Sequence, residues 1–471
     1  MITTCIAIDI GASSGRLIAA TFDGENINLE EIHRFSNDPV HVGENYYWDI
    51  LRLFWEIKQG LKKANTLKID SIGVDTWGVD YALFDKGGQM IAIPMHYRDS
   101  RNLKPKPDFP ISKKDLYMKT GIQHLDFNTV YQLYSDKTSL RKSVINSADF
   151  MLMIPDVINF FLTGQKKSEY TNATTTQMLN PHTGSWDTEI ISQLGLNPNM
   201  FLPIVKPCEL YGYVLEDIIA KYGLNKSIPV FSVGSHDTAS AVAGIPFVDS
   251  QAAFLSLGSW ALLGKEIAKP IITEKSQEIG FSNEGGVFDS IRFLKNICGT
   301  FLLQRLRKAY NNDISFAEIS AAAKSNKNQH FSIDPNHQCF VDPNNMITTI
   351  TEYCMQHNQG KPETLGDFAI AVYNGLATAI AENLQVLEEL TAEKLSYLHI
   401  VGGGVQDEFL CQHIANATNK KILAGPVEST IIGNVIMQLI SLGQIKSLAE
   451  GRNIIRKSAN IKEYIPHNAT N

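Results

Sequence analysis

The sequence contains one pattern twice: an apolar strand, a short turn rich in small and hydroxyl-bearing residues, and a second apolar strand. The first copy spans residues 3–22 with its turn at 11–16, and the second spans 251–264 with Gly258 and Ser259 at the turn. The two copies share the pattern and not the sequence. A repeat of this kind predicts a duplicated α/β fold, in which the two tips face each other across a cleft.

The length of the chain supports the duplication. A chain of 471 residues is too long for one ordinary hydrophobic core, so two domains are expected. We find no flexible linker between the two halves. The boundary is therefore predicted at residues 244–250, which gives domains at 1–245 and 246–471.

Charge and cysteine content exclude several functional classes. The formal net charge is −7, which offers no electrostatic basis for binding nucleic acid or an anionic membrane. No stretch approaches the roughly 18 apolar residues of a membrane span. The six cysteines form no CxxC pair, which favours scattered reduced thiols and a cytoplasmic protein.

The first hairpin tip has the chemistry of a phosphate site. Its small residues leave backbone N–H groups accessible, Ser13 and Ser14 add hydroxyls, and Arg16 can add a charge-assisted contact. Asp9, at the end of the preceding strand, can hold Mg²⁺ through water. An ordinary turn of glycine and serine is the alternative interpretation.

A second candidate site lies at residues 228–244. The apolar run 228–233 predicts a buried strand, Gly234 ends it, Ser235 is a suitable helix N-cap, and a helix of small residues follows. His236 and Asp237 are therefore expected at the carboxyl end of a strand, where open α/β sheets bind ligands. Asp237 can accept a proton from a substrate hydroxyl, or it can merely complement the helix dipole.

Residues 75–80, with the sequence Asp-Thr-Trp-Gly-Val-Asp, follow another predicted strand. Planar polar side chains beside an aromatic ring are typical of sugar sites. The guanidinium groups of Arg98 and Arg101 belong to the same region. A buried tryptophan with capping aspartates, and a solvated charged loop, are the alternatives. The polar run 172–177 likewise fits a sugar pocket or a cluster of turns.

Three of these segments together resemble one known family. Residues 7–16, 73–80 and 97–101 are similar to motifs of the FGGY family of carbohydrate kinases, and further segments follow in that family's order along nearly the whole chain. The resemblance implies an α/β fold of two actin-like, ribonuclease H-like domains with an active-site cleft between them. It also implies that residues 1–245 bind a sugar and residues 246–471 bind ATP.

The resemblance also assigns roles to individual residues. Asp237 is implied to be the catalytic proton acceptor, and Asp9 the residue that holds Mg²⁺. The implied sugar-binding residues are Gly78, His236, Thr238 and Asn296. The implied ATP-binding residues are Ala12, Ser13, Ser14, Gly15, Arg16, Ser259, Gln304 and Gly402.

The implied reaction is transfer of the ATP γ-phosphate to the 1-hydroxyl of L-rhamnulose. L-Fuculose or a related ketose or polyol stays open, as does a non-catalytic actin-like nucleotide switch. Two positions depart from the family pattern: Ser259 stands where a threonine is usual, and Asp407 where an asparagine is common. Loops are predicted at 281–286 and 339–344, and a helix with a frayed tail at the C-terminus.

Overall fold

A computed structural model describes residues 2–139, 141–224, 227–340, 343 and 345–467, and these fall into two compact units. The first unit contains the residues up to Pro246, together with Ile267–Phe293 and Ser429–Ser458. The second contains Phe247–Glu266, Leu294–Glu428 and the residues from Ala459 onward. Two segments from the second half of the chain therefore pack with the first half.

The strands are numbered in chain order. They are β1 (Thr3–Ile10), β2 (Ser14–Phe22), β3 (Ile27–Ser36), β4 (Val40–Val42), β5 (Asn45–Tyr47), β6 (Ser71–Thr76), β7 (Tyr81–Phe84), β8 (Phe150–Met153), β9 (Ser168–Glu169), β10 (Leu179–Asn180), β11 (Ser185–Trp186), β12 (Ile204–Val205), β13 (Leu210–Tyr213), β14 (Pro229–Phe231), β15 (Ala252–Leu257), β16 (Trp260–Ile267), β17 (Ser282–Gly285), β18 (Ile291–Cys298), β19 (Tyr397–Val401), β20 (Lys421–Ala424) and β21 (Lys462–Tyr464).

The α-helices are numbered in the same way. They are α1 (Ile50–Lys63), α2 (Lys113–Thr120), α3 (Thr129–Thr138), α4 (Lys142–Ser147), α5 (Ile154–Thr163), α6 (Tyr170–Thr174), α7 (Thr188–Gln193), α8 (Glu216–Tyr222), α9 (Asp237–Ala243), α10 (Glu274–Ile279), α11 (Phe301–Ala309), α12 (Phe316–Ser325), α13 (Met346–Gln356), α14 (Leu365–Thr391), α15 (Glu408–Thr418), α16 (Ser429–Ser441) and α17 (Leu448–Ser458).

The first unit is built on a six-stranded mixed sheet. Its strand order is β13, β14, β6, β1, β2, β3. β1 runs antiparallel to β2 and parallel to β6, and β14 runs parallel to β6. The carboxyl ends of β1, β6 and β14 therefore lie at one edge of the sheet, and the candidate site lies there.

The two faces of this sheet are covered differently. Residues 72 and 74 of β6 belong to an apolar core that includes buried side chains of α1 and α5. Successive strand residues point to opposite faces, so Ser71, Gly73 and Asp75 point the other way. On that face Ser71 bonds to Gln438 and Asp75 to Asn434, both on α16. This side of the sheet is polar and closely packed.

The second unit repeats the hairpin arrangement. In its sheet β16, β15, β19, β20 and β21 are neighbours in that order. β15 runs antiparallel to β16 and parallel to β19, as β1 does to β2 and β6. The duplicated fold predicted from the sequence pattern is confirmed.

Several local predictions need correction. The loop predicted at 281–286 contains β17, and the C-terminal tail contains β21, which pairs with β20. The predicted connection at 339–344 and the end of the predicted tail lie partly outside the described residues. All six cysteines are free thiols. None of the helices in the described ranges has the length and apolar character needed to cross a membrane.

Candidate active site

Three carboxylates meet at the carboxyl edge of the first sheet. Asp9 ends β1, and Asp75 is its register partner on the parallel strand β6. Asp237 lies on the segment that follows β14. This segment is held beside β6, because Thr76 forms a β-bridge with His236 and the Thr76 N–H donates to the Ser235 carbonyl over 2.9 Å. The three acids affect one another: Asp9 contributes to raising the pKa of both Asp75 and Asp237, after desolvation.

Asp237 is the first residue of α9 and has about a third (32%) of its side chain exposed. Desolvation raises its pKa, and the neighbouring His236 partly opposes this. The Thr238 hydroxyl donates to its Oδ1 over 3.1 Å. The side chain is thus accessible and held by a neighbouring hydroxyl, and a raised pKa makes a carboxylate a better proton acceptor.

The turn before Asp237 differs from the prediction in one respect. His236, and not Ser235, occupies the N-cap position, and no side chain caps this helix. The Ser235 hydroxyl donates to the fully buried carboxylate of Glu169, which also accepts the N–H of Asn172 over 3.0 Å. The Ser235 side chain therefore anchors the turn to the protein interior. A hydrogen bond to a charged carboxylate is stronger than one to a neutral backbone N–H, so the hydroxyl bonds to Glu169 and does not cap the helix.

His236 connects Asp237 to two residues that the sequence analysis did not assign. Its Nε2 lies 3.5 Å from Asp237 Oδ1. Its Nδ1 lies 3.1 Å from Arg292 Nη2 and 3.2 Å from Glu284 Oε2. Glu284 belongs to β17, which was predicted as a loop, and no local pattern indicates that it meets residue 236.

Asp75 is fully buried and only half satisfied. Its Oδ2 accepts the Asn434 side-chain N–H over 2.6 Å, and its Oδ1 has no hydrogen-bond partner among the described residues. Burial, followed by the charge of Asp9, raises its pKa well above the ordinary value. A buried carboxylate beside other carboxylates is stabilised by a cation.

These acids fit a hydrated Mg²⁺ rather than a fully protein-bound metal. Within the described ranges no three His, Cys, Asp or Glu side chains are placed to ligate one ion. Mg²⁺ usually keeps several waters and binds one or two carboxylates plus phosphate oxygens. Asp9 and the unpartnered Oδ1 of Asp75 provide that donor set.

The first hairpin tip is held in a defined conformation. The Gly11 N–H donates to the Ser14 carbonyl over 2.9 Å, and Asn37 bonds to the backbone of residues 11 and 13. Ala12 and Ser13 are exposed. Arg16 Nη2 donates to Asp9 Oδ2 over 2.8 Å. The tip presents small residues and hydroxyls, as the sequence predicted, whereas the pairing of Arg16 with Asp9 was not predicted.

Gly15 is needed at this tip for a packing reason. A Cβ at this position would lie 2.3 Å from the Phe35 ring. Any side chain here would have to displace the Phe35 ring. The glycine therefore leaves room for that ring against β2.

The predicted tryptophan segment is buried. The indole N–H groups of Trp48 and Trp77 both donate to Asp80, over 2.6 and 3.0 Å, and the two rings lie 4.1 Å apart. Burial raises the pKa of Asp80 to about 6. Trp77 is only 6% exposed, so its ring is part of the interior and does not offer an open face to a ligand.

Two neighbouring segments are also structural. Residues 170–174 form α6, and the Asn172 side chain donates to the Trp77 carbonyl over 3.2 Å. Thr175 accepts the Val79 N–H over 3.0 Å, beside the half-buried Gly78. Arg101 is engaged by the buried Asp136, so the region 97–101 is not simply a solvated loop.

In the second unit, three predicted nucleotide residues lie together. Gln304 Nε2 donates to Ser259 Oγ over 3.1 Å at the exposed tip between β15 and β16. Gly402 follows β19 with φ +88°, and a Cβ there would lie 3.0 Å from the Leu257 carbonyl oxygen. Glycine alone adopts this positive φ without strain and leaves room for the Leu257 carbonyl oxygen. Asn296 lies half-buried on β18.

Asp407 has a structural role that accounts for the departure at this position. Its Oδ1 accepts the Leu410 N–H at the start of α15 and the Ser320 hydroxyl, over 3.1 and 2.9 Å. Its Oδ2 accepts the Tyr373 hydroxyl. The carboxylate is thus committed to capping α15 and joining it to α12 and α14.

Comparison with known proteins agrees with this fold. A gluconate kinase from Lactobacillus acidophilus superposes with a TM-score of 0.82 at 16% identity, covering 99% of this chain and 94% of that one. A xylulose kinase from the same organism gives 0.81 at 16% identity, with the same coverage. At such low identity these structures define the class: a two-domain kinase fold of the actin-like type.

Sequence comparison identifies the family. The model of the N-terminal domain of the FGGY family of carbohydrate kinases matches residues 4–244, and that of the C-terminal domain matches 253–442. The chain belongs to this family, and it is an ATP-dependent sugar kinase that uses ATP with Mg²⁺.

Curated relatives match over almost the full length. A rhamnulokinase from Halalkalibacterium halodurans is 39% identical over 464 residues, 98% of each chain. A rhamnulokinase from Bacteroides thetaiotaomicron is 39% identical over 464 residues, 98% of this chain and 95% of that one. Family membership also removes the alternative of a non-catalytic actin-like switch.

Proposed function

We propose that this chain transfers the γ-phosphate of ATP to the 1-hydroxyl of L-rhamnulose. The observation that carries the proposal is the Asp237 carboxylate, one-third exposed, held by Thr238 and facing His236. Relatives named rhamnulokinase, similar over nearly the whole chain, support the choice of sugar.

Asp237 acts as general base in this scheme. It accepts the proton of the sugar O1–H as O1 forms a bond to the γ-phosphorus, and the bond from that phosphorus to the bridging oxygen of ADP breaks. The transition state is loose and spreads charge over the phosphoryl oxygens, so positioning and electrostatics supply most of the rate. Gly78, His236, Thr238 and Asn296 are the proposed sugar-binding residues.

The proposed nucleotide contacts come from two groups of residues. Amides and hydroxyls of residues 12–16 bind phosphate oxygens, while Ser259, Gln304 and Gly402 bind the rest of ATP. Asp9 and Asp75 would hold Mg²⁺ through water, and the ion would neutralise charge on the phosphates. The Ser259 hydroxyl replaces that of threonine and keeps the contact with Gln304.

The test is a panel of sugars assayed under identical conditions for sugar-dependent ADP release. The panel includes L-rhamnulose, L-fuculose, D-xylulose and glycerol. We expect the largest kcat/KM with L-rhamnulose and a product phosphorylated on O1. A larger value with L-fuculose would reassign the substrate and leave the kinase chemistry in place.

Asp237→Asn is the matched variant for the base. It keeps the size and the Thr238 hydrogen bond but cannot accept the proton. We expect kcat to fall by about 10²–10⁴-fold, the usual contribution of a general base, with ATP binding unchanged by calorimetry. A variant that retains the wild-type kcat would show that another group takes the proton.

A further inference from the structure

Arg292 lies behind the candidate active site with no exposure to solvent. Its side chain is 0% exposed, and its Nε donates to the Gly285 carbonyl over 2.9 Å. Its Nη2 lies 3.1 Å from Nδ1 of His236 with hydrogen-bond geometry. A guanidinium has only donors and stays protonated. In this contact Nδ1 of His236 must therefore be the acceptor.

Glu284 balances the charge of this buried arginine. Its Oε2 lies 3.1 Å from Arg292 Nη2 and 3.2 Å from His236 Nδ1, but it accepts no hydrogen bond from either. The pairing is thus mainly electrostatic, and Arg292 holds the pKa of Glu284 below its usual value against the effect of burial. A buried cation needs such a partner to remain in place.

The acceptor role of Nδ1 determines the other side of the ring. A neutral imidazole carries one proton, so that proton must be on Nε2. Nε2 lies 3.5 Å from Asp237 Oδ1. The ring consequently offers an N–H on the side that faces the Asp237 carboxylate.

We propose that Arg292 and Glu284 are positioning residues that hold His236 as its Nε2–H tautomer, so that the sugar site always presents a donor beside Asp237. This inference rests on the proposed function. Neither residue touches the reacting atoms. Their effect on catalysis is transmitted through the orientation and the proton position of one imidazole ring.

The direct test is spectroscopic and requires no sugar. Long-range ¹H–¹⁵N correlation spectra of wild-type enzyme labelled in its histidine rings, at pH 8, report which nitrogen carries the proton. The signals of His236 are assigned by their loss in His236→Asn. We expect the Nε2–H pattern. An Nδ1–H pattern or a doubly protonated ring would overturn the proposal, whichever sugar is the substrate.

The kinetic test uses Arg292→Met, with Arg292→Lys as the conservative variant. We expect Arg292→Met to lose the tautomer preference and to lower kcat by about 10²-fold, as for a misplaced catalytic contact, with the KM for ATP unchanged. Arg292→Lys keeps a charged donor and should recover part of the rate. Arg34→Met, an exposed arginine on β3, is the control and should behave as wild type.

A folding defect must be separated from a positioning effect. The double variant Glu284→Gln with Arg292→Met removes both buried charges, so it avoids an uncompensated ion. If Arg292→Met alone does not fold, the double variant takes its place and should show the same loss of kcat and of the Nε2–H pattern. Wild-type kcat in either folded variant would overturn the proposal.

Discussion

Asp9 and Asp75 are direct register partners on the neighbouring parallel strands β1 and β6, and β6 contains no positively charged residue. Asp9 pairs with Arg16, whereas Asp75 is buried and has only the amide of Asn434. The folded protein thus holds a partly unsatisfied acid where its chemistry needs negative charge. This is a local cost in stability at the functional site.

We predict that Asp75→Asn stabilises the protein and impairs its use of Mg²⁺. The pKa of Asp75 is raised on folding, so the folded state binds that proton more tightly. The free energy of unfolding of the wild type therefore falls as pH rises from the unfolded-state value of about 3.9 towards the raised value. Asparagine does not titrate, so the variant does not lose this free energy of unfolding. The stability of Asp75→Asn relative to wild type should therefore be greater at pH 8 than near pH 4.

Urea unfolding at the two pH values measures this gain. Asp38→Asn, at an exposed position, serves as the control and should show no such difference. Titration with MgATP should give a weaker magnesium response for Asp75→Asn than for wild type. An equal gain in stability at both pH values would contradict the account of Asp75.

The pH dependence of the rate should reveal Asp237. The carboxylate must be deprotonated to act as base, so kcat/KM should fall as pH drops through its pKa. Desolvation raises that pKa, so the acid limb should lie above the ordinary value of about 3.9. Thr238→Val removes a hydrogen bond that favours the charged form, and should move the limb to higher pH.

Thr238→Ser is the matched control, because it keeps the hydroxyl. Its acid limb should coincide with that of the wild type in a profile of kcat/KM for the sugar. If the limb of Thr238→Val stays in place, a group other than Asp237 controls the profile.

Gln304→Ala should act on the nucleotide alone. Its amide donates to Ser259 Oγ at the exposed tip of the second hairpin. Loss of one such hydrogen bond costs about 0.5–1.5 kcal/mol, which corresponds to a rise in the KM for ATP of roughly 2–12-fold. The KM for the sugar should not change. Gln356→Ala, exposed on α13, should leave both constants as in wild type, and a raised sugar KM in Gln304→Ala would refute the assignment.

Gly433→Ala should destabilise the first unit. A Cβ at this position would lie 1.8 Å from the Ser240 carbonyl oxygen, so α9 and α16 would have to separate. Overpacking of this kind costs about 1–3 kcal/mol, occasionally more. Thermal unfolding should show a lower Tm. The value of kcat should fall too, because Asp237 is the first residue of α9 and would move with that helix.

Gly87→Ala provides the comparison for this variant, since its new Cβ would meet only the Asp85 side chain, at 3.3 Å. Its Tm should remain near that of the wild type. A Gly433→Ala protein as stable as Gly87→Ala would mean that the two helices can separate at little cost.

Local pattern was sufficient for much of this protein. The two hairpins, and the strand and helix around residue 237, follow from periodicity and turn residues, which act over a few positions. The family motifs likewise lie in short runs. A catalytic role for Asp237 could be proposed because strand, glycine and helix are adjacent in the chain and because this segment resembles the family's catalytic segment.

The surroundings of the candidate site depend on the tertiary structure. Asn434 reaches Asp75 across 359 positions, and Arg292 reaches His236 across 56. Taken alone, each is an ordinary polar residue of a helix or strand. Their roles arise from burial, because an unpaired charge in the protein interior is energetically costly and each of these contacts reduces that cost. Which groups are buried depends on which distant segments of the chain pack together.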